Sequence, residues 1–241
     1  MRSIATVMTI VLAVASAAML VAQSGPESPV WETLVRAPLP ETIEPILSIN
    51  GLTMPQKPVA EHSHAGPVVG YILQGEIENQ VEPEPPAIHK PGGFFYEAPR
   101  HVHKIMRNLG TEPATLIIVQ AGRTGVPASL TKTLPGQATR LVPPEFVQWQ
   151  VPFSLTAQQE LRVLRLTLPA GARSDAPPHS GPGVVYVLEG SITTSDTSAS
   201  PQTHAAGDLL LDPANGPGLT LKNASGSEPA RLLLYHITSK G

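Results

Sequence analysis

His62-Ser63-His64 sets two imidazoles one residue apart, and His103 follows in a second histidine-bearing stretch, in a chain with only eight histidines. Residues at i and i+2 of an extended strand project to the same side. The pair is therefore expected to aim at one point, and a third imidazole brought across a sheet would complete a set of neutral nitrogen donors. Such a set suits a first-row divalent transition metal, with Fe, Mn, Zn, Ni and Cu all acceptable. The plainer reading makes these residues polar histidines on a strand edge. Other chemistries find little footing. The chain has no cysteine, which removes disulfides, thiolate ligands and a Cys nucleophile. It shows no Gly-rich phosphate loop, no readable nucleophile–base pair and no paired carboxylates at a suggestive spacing, so no catalytic residue is assigned. A net charge of −3 without any Lys/Arg run leaves no footprint for nucleic acid.

The elements that must position these histidines are strands. Hydrophobic residues make up 41% of the 241-residue chain but aromatics only 4%, so a core has to come from Val, Leu, Ile and Ala. With 27 Pro and 20 Gly, long helices are disfavoured and short strands joined by turns are expected. The chain also repeats itself. Gly66-Pro67-Val68-Val69-Gly70-Tyr71-Ile72-Leu73-Gln74-Gly75 aligns with Gly181-Pro182-Gly183-Val184-Val185-Tyr186-Val187-Leu188-Glu189-Gly190 at an offset of 115 residues. The same offset takes His64 to His179, Gly92 to Gly207 and Asn108 to Asn223, and Thr111–Ile118 matches Ser227–Leu234 after a one-residue insertion. One offset held across landmarks this far apart means two copies of one unit. In each copy a hydrophobic strand ends at a Leu-x-Gly turn and an alternating strand leads away. The first unit is expected over residues 30–121, a linker with the first strand of the second unit over 122–160, and the second unit over 161–239.

The N-terminus differs from the rest. Arg2 precedes an apolar run from Ile4 to Ala22, with Ala15-Ser16-Ala17 as a small-x-small site. This pattern predicts a signal peptide over residues 1–22 and a periplasmic or secreted protein, with no membrane attachment after cleavage. The rival is an uncleaved anchor, since the run could nearly span a bilayer.

At these motifs the sequence resembles the cupin superfamily, and in particular its two-domain members, the bicupins. Their first motif is His-x-His, three or four residues, Glu, six residues, Gly; here His62-Ser63-His64 supplies the pair and Gly75 the glycine. Their second is Pro-x-Gly-x-x-His followed by Asn, for which Gly92-Gly93, Pro99, His103 and Asn108 stand. The resemblance implies an all-β fold of two tandem jelly-roll barrels, with a metal in the first held by His62, His64 and His103. Two positions depart from the pattern. Val68 occupies the place of the family's glutamate ligand, and Arg100 stands where glycine is usual. A site reduced to three neutral histidines keeps the full charge of its ion, which favours an anionic, chelating substrate. Some cupins with three-histidine iron sites are thiol or β-diketone dioxygenases. The resemblance thus points to an exported metal-dependent oxygenase acting on a small chelating or anionic compound. A non-catalytic periplasmic protein that binds a metal or a small molecule is the alternative.

The neighbouring polar residues are given modest roles. His101 shares parity with His103 and is expected behind the ligands or in solvent rather than on the metal. Tyr71 and Tyr96 are expected half in the core, Glu97 solvated at a strand end, and Gln80 has no geometric claim to the ion. In the second copy the offset turns His62 into Pro177, Val68 into Gly183 and His103 into Gly218, leaving only His179. His204 and His236 are read as exposed or structural. On this reading the second barrel is a scaffold that has lost its chemistry and packs beside the first. A homodimer is left open.

Overall fold

Alternating apolar residues bounded by Gly and Pro fold into antiparallel strands almost throughout the computed structural model. It describes residues 28–125, 128–141, 148–195, 201–214 and 218–240, so the expected leader lies outside the described residues. The first half carries β1 (Val30–Pro38), β2 (Ile46–Met54), β3 (Val68–Gln74), β4 (Ile77–Val81), β5 (Ala87–His89), β6 (Phe94–Glu97), β7 (His103–Asn108) and β8 (Ala114–Ala121). A 3-10 turn at Ala128–Leu130 leads to β9 (Thr131–Thr133), β10 (Thr139–Arg140) and β11 (Gln148–Pro152). The second half carries β12 (Gln159–Leu168), β13 (Arg173–Asp175), β14 (Gly183–Glu189), β15 (Ser191–Ser195), β16 (Gln202–Ala205), β17 (Asp208–Asp212), β18 (Thr220–Asn223) and β19 (Ala230–Ser239). Among the described residues no helix is long and apolar enough to cross a membrane.

The strands form two jelly-roll barrels, each a six-stranded sheet packed on a smaller one. In the first, the order β6-β3-β8-β2-β11-β9 faces β5-β4-β7; in the second, β1-β12-β19-β14-β17-β10 faces β13-β18-β15-β16. The internal repeat is visible down to its irregularities. The β3–β8 ladder bulges between Ile72 and Gln74, and the β14–β19 ladder bulges at the equivalent place between Val187 and Glu189. Each bulge feeds a turn glycine, Gly75 or Gly190, at φ +85° and +74°, a backbone region that L side chains rarely adopt.

The sequence hid one feature of the organisation. Strand β1, counted with the first unit, pairs along its length with β12 of the second barrel, from Val30↔Thr167 to Pro38↔Glu160. Conversely β11, placed in the linker region, pairs with β2 of the first barrel, from Gln148↔Asn50 to Pro152↔Ile46. Each unit lends a strand to the other's sheet, so the boundary near residue 121 does not separate two closed sheets.

This exchange explains why the six-stranded sheets are apolar on both faces. One face of each lines its own barrel: Ile72, Met54, Leu116 and Phe95 in the first, Val185, Val187, Leu232 and Leu234 in the second. The opposite faces pack together in a third cluster, where Val69, Tyr71, Val119, Val184, Tyr186, Leu233 and Tyr235 meet. Hence Val68–Ile72 of β3 is buried without alternation, as expected for a strand covered on both sides. Each fully buried Leu or Ile contributes about 1.5–3 kcal/mol, and together they hold the barrel walls that carry the polar groups described next.

Candidate metal centre

The first barrel brings its three predicted histidines together. His62 is not on a regular strand: it makes an isolated antiparallel bridge to His103 at the start of β7, with His103 N donating to His62 O at 2.8 Å. This bridge docks the His62–His64 loop on the barrel. The His62 ring then lies 4.7 Å from the His64 ring and 5.0 Å from the His103 ring, centroid to centroid.

A fourth group completes the set. Glu97, expected to be solvated, is buried at the end of β6, with Oε1 3.0 Å from His103 Nδ1 and Oε2 3.2 Å from His64 Nε2. The four residues form one group of potential ligand atoms, all within 4.8 Å of one another. Its position corrects the reading of Val68. In the β3–β6 ladder Val68 is the direct partner of Glu97. A carboxylate is thus supplied from the neighbouring strand on the same rung, because facing residues across a ladder project to the same side of the sheet.

The contacts have the length of hydrogen bonds but not their direction. Neither ring makes a hydrogen bond to Glu97, and His103 Nδ1 and Glu97 Oε2 are buried without any hydrogen-bond partner. Two atoms each about 2.1 Å from one ion, at tetrahedral or octahedral angles, stand roughly 3.0–3.4 Å apart. The observed spacing is that of ligands around a shared centre. Tautomers agree with it. His62 Nδ1 lies 2.8 Å from Ala60 O, an atom that can only accept, so the proton sits on Nδ1 and Nε2 keeps its lone pair. His103 Nε2 lies 3.0 Å from Ile105 O, which places its proton on Nε2 and leaves Nδ1 as a donor to a metal. The Asn79 amide nitrogen, Nδ2, stands 2.8 Å from the same Nε2; turning the amide over presents its oxygen to this N–H instead. These buried, unpaired donor atoms fit a divalent metal.

Electrostatics point the same way. Burial alone would raise the Glu97 carboxyl; in the metal-free protein, contact with His103 and His64 in their protonated forms outweighs it and holds the group down at about 2, and a cation at the same place would take over that role. The carboxylate is therefore ionised at neutral pH, ready to face a cation. Access is one-sided. The His64 side chain is 23% exposed and His103 only 1%, while Phe95, 6.2 Å from the His103 ring, closes the inner side.

The remaining residues fall outside the group. His101 Nδ1 bonds Glu82 O at 2.7 Å and is exposed, a loop histidine rather than a ligand. Gln80 donates to Glu84 O. Tyr71 packs in the interface between the barrels, and Tyr96 is half-buried against the same cluster. A cleft of about 840 Å³ lies between the barrels and takes in Arg140, Arg165 and Arg231. Each of those guanidiniums is already paired, with Asp208, Glu32 and Glu189 respectively.

The second barrel is not empty of chemistry. His179 does not stand alone there: Asp212 and His236 join it in a wholly buried group of three potential ligands. His236 is neither exposed nor remote, and only His204, bonded through Nε2 to Thr194 Oγ1 at 2.8 Å, behaves as the structural histidine expected.

Comparison with known proteins agrees with the fold. Residues 53–120 match the cupin domain family. A search of curated protein sequences returns no match. Among solved structures, a putative glyoxylate-induced protein from Pseudomonas aeruginosa superposes with a TM-score of 0.56 at 15% identity, over 90% of this chain and 83% of that one. Oxalate decarboxylase from Bacillus subtilis, known for its Mn(II) centres, gives 0.52 at 13% identity over 90% and 79%. Salicylate 1,2-dioxygenase from Pseudaminobacter salicylatoxidans gives 0.52 at 14% identity over 80% and 71%. Residues 53–120 of the first barrel thus match a cupin domain, and the chain as a whole shares the two-barrel jelly-roll fold of these structures.

Proposed function

We propose that the first barrel binds a divalent transition metal through His62, His64, Glu97 and His103, and that the protein uses it to oxygenate a small anionic, chelating compound such as a carboxylate or enolate. The observation that carries this reading is the convergence of His64 and His103 on the buried Glu97 at 3.2 and 3.0 Å with no hydrogen bond between them. When bound, a divalent ion supplies Lewis-acid charge that draws and polarises an anionic oxygen. The chain's own part is to hold that charge in place. The Ala60 and Ile105 carbonyls fix the tautomers of His62 and His103. Glu97 offsets one of the two positive charges, so the loaded centre keeps an attraction for anions. This is weaker than in the three-histidine site the sequence suggests. The partly exposed His62 and His64 mark the side from which a substrate would enter, and Phe95 covers the inner side.

Oxalate and salicylate, which name two of the fold relatives, are chelating anions and are the first compounds to screen. The test is O₂ uptake by protein loaded with Fe(II) or Mn(II), in wild type and His62→Ala. Uptake that depends on both metal and compound, and is lost in the variant, supports oxygenation. A metal-loaded protein that binds such anions without consuming O₂ is instead a binding protein. We also assign the chain to the periplasm or the exterior, on the strength of Arg2 and the apolar run to Ala22. Mass spectrometry of the mature N-terminus after expression with the leader tests this.

A further inference from the structure

The rung that carries Glu97 in the first barrel has been rebuilt in the second. In the first, Val68 of β3 lies between Glu97 of β6 and Gln120 of β8. In the second, the same rung reads Asp212 of β17, Gly183 of β14 and His236 of β19. The three replacements fit one another. A Cβ on Gly183 would stand 2.7 Å from His236 Cδ2 and 3.0 Å from both His236 Nε2 and Asp212 Cβ. The imidazole therefore occupies room that a side chain at 183 would fill. His179, from the loop before β14, reaches the same place, with Nε2 3.1 Å from Asp212 Oδ2, while His236 Nε2 is 3.8 Å from that oxygen. All three side chains are 1% exposed.

Each of these atoms lacks a partner. His179 Nε2, Asp212 Oδ2 and His236 Nε2 are buried with no hydrogen bond. His179 Nδ1 donates to Gly181 O at 2.6 Å, so its Nε2 presents a lone pair toward a carboxylate that presents another. A second proton on His179 could relieve that pair, but it would leave His236 Nε2 an orphan in the core. A metal ion satisfies all three atoms at once.

We propose that the second barrel holds its own divalent metal ion through His179, Asp212 and His236, at a site that keeps the copies of His64 and Glu97 and replaces the other two histidines with His236 on the Gly183 rung. Sealed from solvent, the ion ties the His179 loop to β17 and β19 and is structural, in contrast to the open centre of the first barrel. This inference does not rest on the function assigned to the first barrel.

The test is metal content of the full chain after loading with Zn(II) and removal of excess. The wild type should hold two equivalents. His236→Gln and Gly183→Val, which install the first barrel's residues, should each hold one, as should His62→Ala/His103→Ala. Combining the two sets should leave none. A second measurement needs no variant: a chelator should strip one equivalent from wild type rapidly and the other at least about tenfold more slowly, because release waits on opening of a buried core. One equivalent in wild type, unchanged by His236→Gln and removed in a single phase, overturns the proposal and makes the cluster a proton-sharing pair beside an unpaired imidazole. One equivalent that survives His62→Ala/His103→Ala but disappears in His236→Gln would instead uphold it while removing the first-barrel centre.

Discussion

Replacing Glu97 with Gln keeps the shape of the side chain and removes only its charge. The structure sets the size of the effect. His103 and His64 hold the Glu97 carboxyl at about 2 against an ordinary value of 4.5, and at about 1.4 kcal/mol per unit this is roughly 3 kcal/mol of preference for the charged form. A divalent ion at the same place must favour the carboxylate at least as strongly. Glu97→Gln should therefore weaken metal binding by at least about two orders of magnitude. At one fixed concentration of Zn(II) or Mn(II), the metal-induced rise in Tm should shrink by about 6–12 °C for a chain of this size. The metal-free protein gives a second readout. Because the folded carboxyl lies below its unfolded value, its contribution is present above about pH 4.5 and is lost as pH falls toward 2. At pH 5 the metal-free variant should be about 3 kcal/mol less stable than wild type, and the two should converge near pH 2. Competition titration against a chromophoric chelator, with urea unfolding across pH 2–6, measures both. An affinity within about threefold of wild type would remove Glu97 from the centre and refute the reasoning.

Three further outcomes follow from packing. Asn108 Nδ2 donates to Met54 O and Glu112 O while Oδ1 accepts from Gly110 N, and Asn223 serves Leu168, Pro169, Glu228 and Ser225 in the same way. Asn108→Ala and Asn223→Ala should each cost about 2–3 kcal/mol in urea unfolding. Gly70→Ala puts a Cβ 2.1 Å from Phe95 Cζ. It should cost about 1–3 kcal/mol in thermal melting and weaken metal retention by shifting the ring that backs His103. Removing residues 1–39 takes β1 from the second barrel's sheet and should strip hydrogen-exchange protection from β12, while β2 and β8 keep theirs.

How much of this was legible in the sequence differs from residue to residue. His62, His64 and His103 could be read because a spacing of two fixes a common side and the paired motifs fix the barrel. Glu97 could not be read from spacing, since its relation to Val68 is a cross-strand register rather than a distance along the chain. A signal did exist: the offset of 115 residues that links His64 to His179 also links Glu97 to Asp212, a carboxylate in each copy. His236 was hidden by the one-residue insertion, which sets it opposite Gln120, and Gly183 read as a loss when it is the space that imidazole needs. The exchange of β1 and β11 was out of reach, because each strand's apolar pattern suits either sheet and only the packing between the barrels selects a partner.

The central claim is that the first barrel holds a metal on three histidines and Glu97. Metal-edge anomalous diffraction from crystals of protein loaded with Mn(II) or Zn(II) addresses it most directly. A peak is expected about 2.0–2.2 Å from His62 Nε2, His64 Nε2, His103 Nδ1 and a Glu97 carboxylate oxygen. Loaded crystals with no peak among these four residues, and Glu97 still beside His64 and His103, would contradict it.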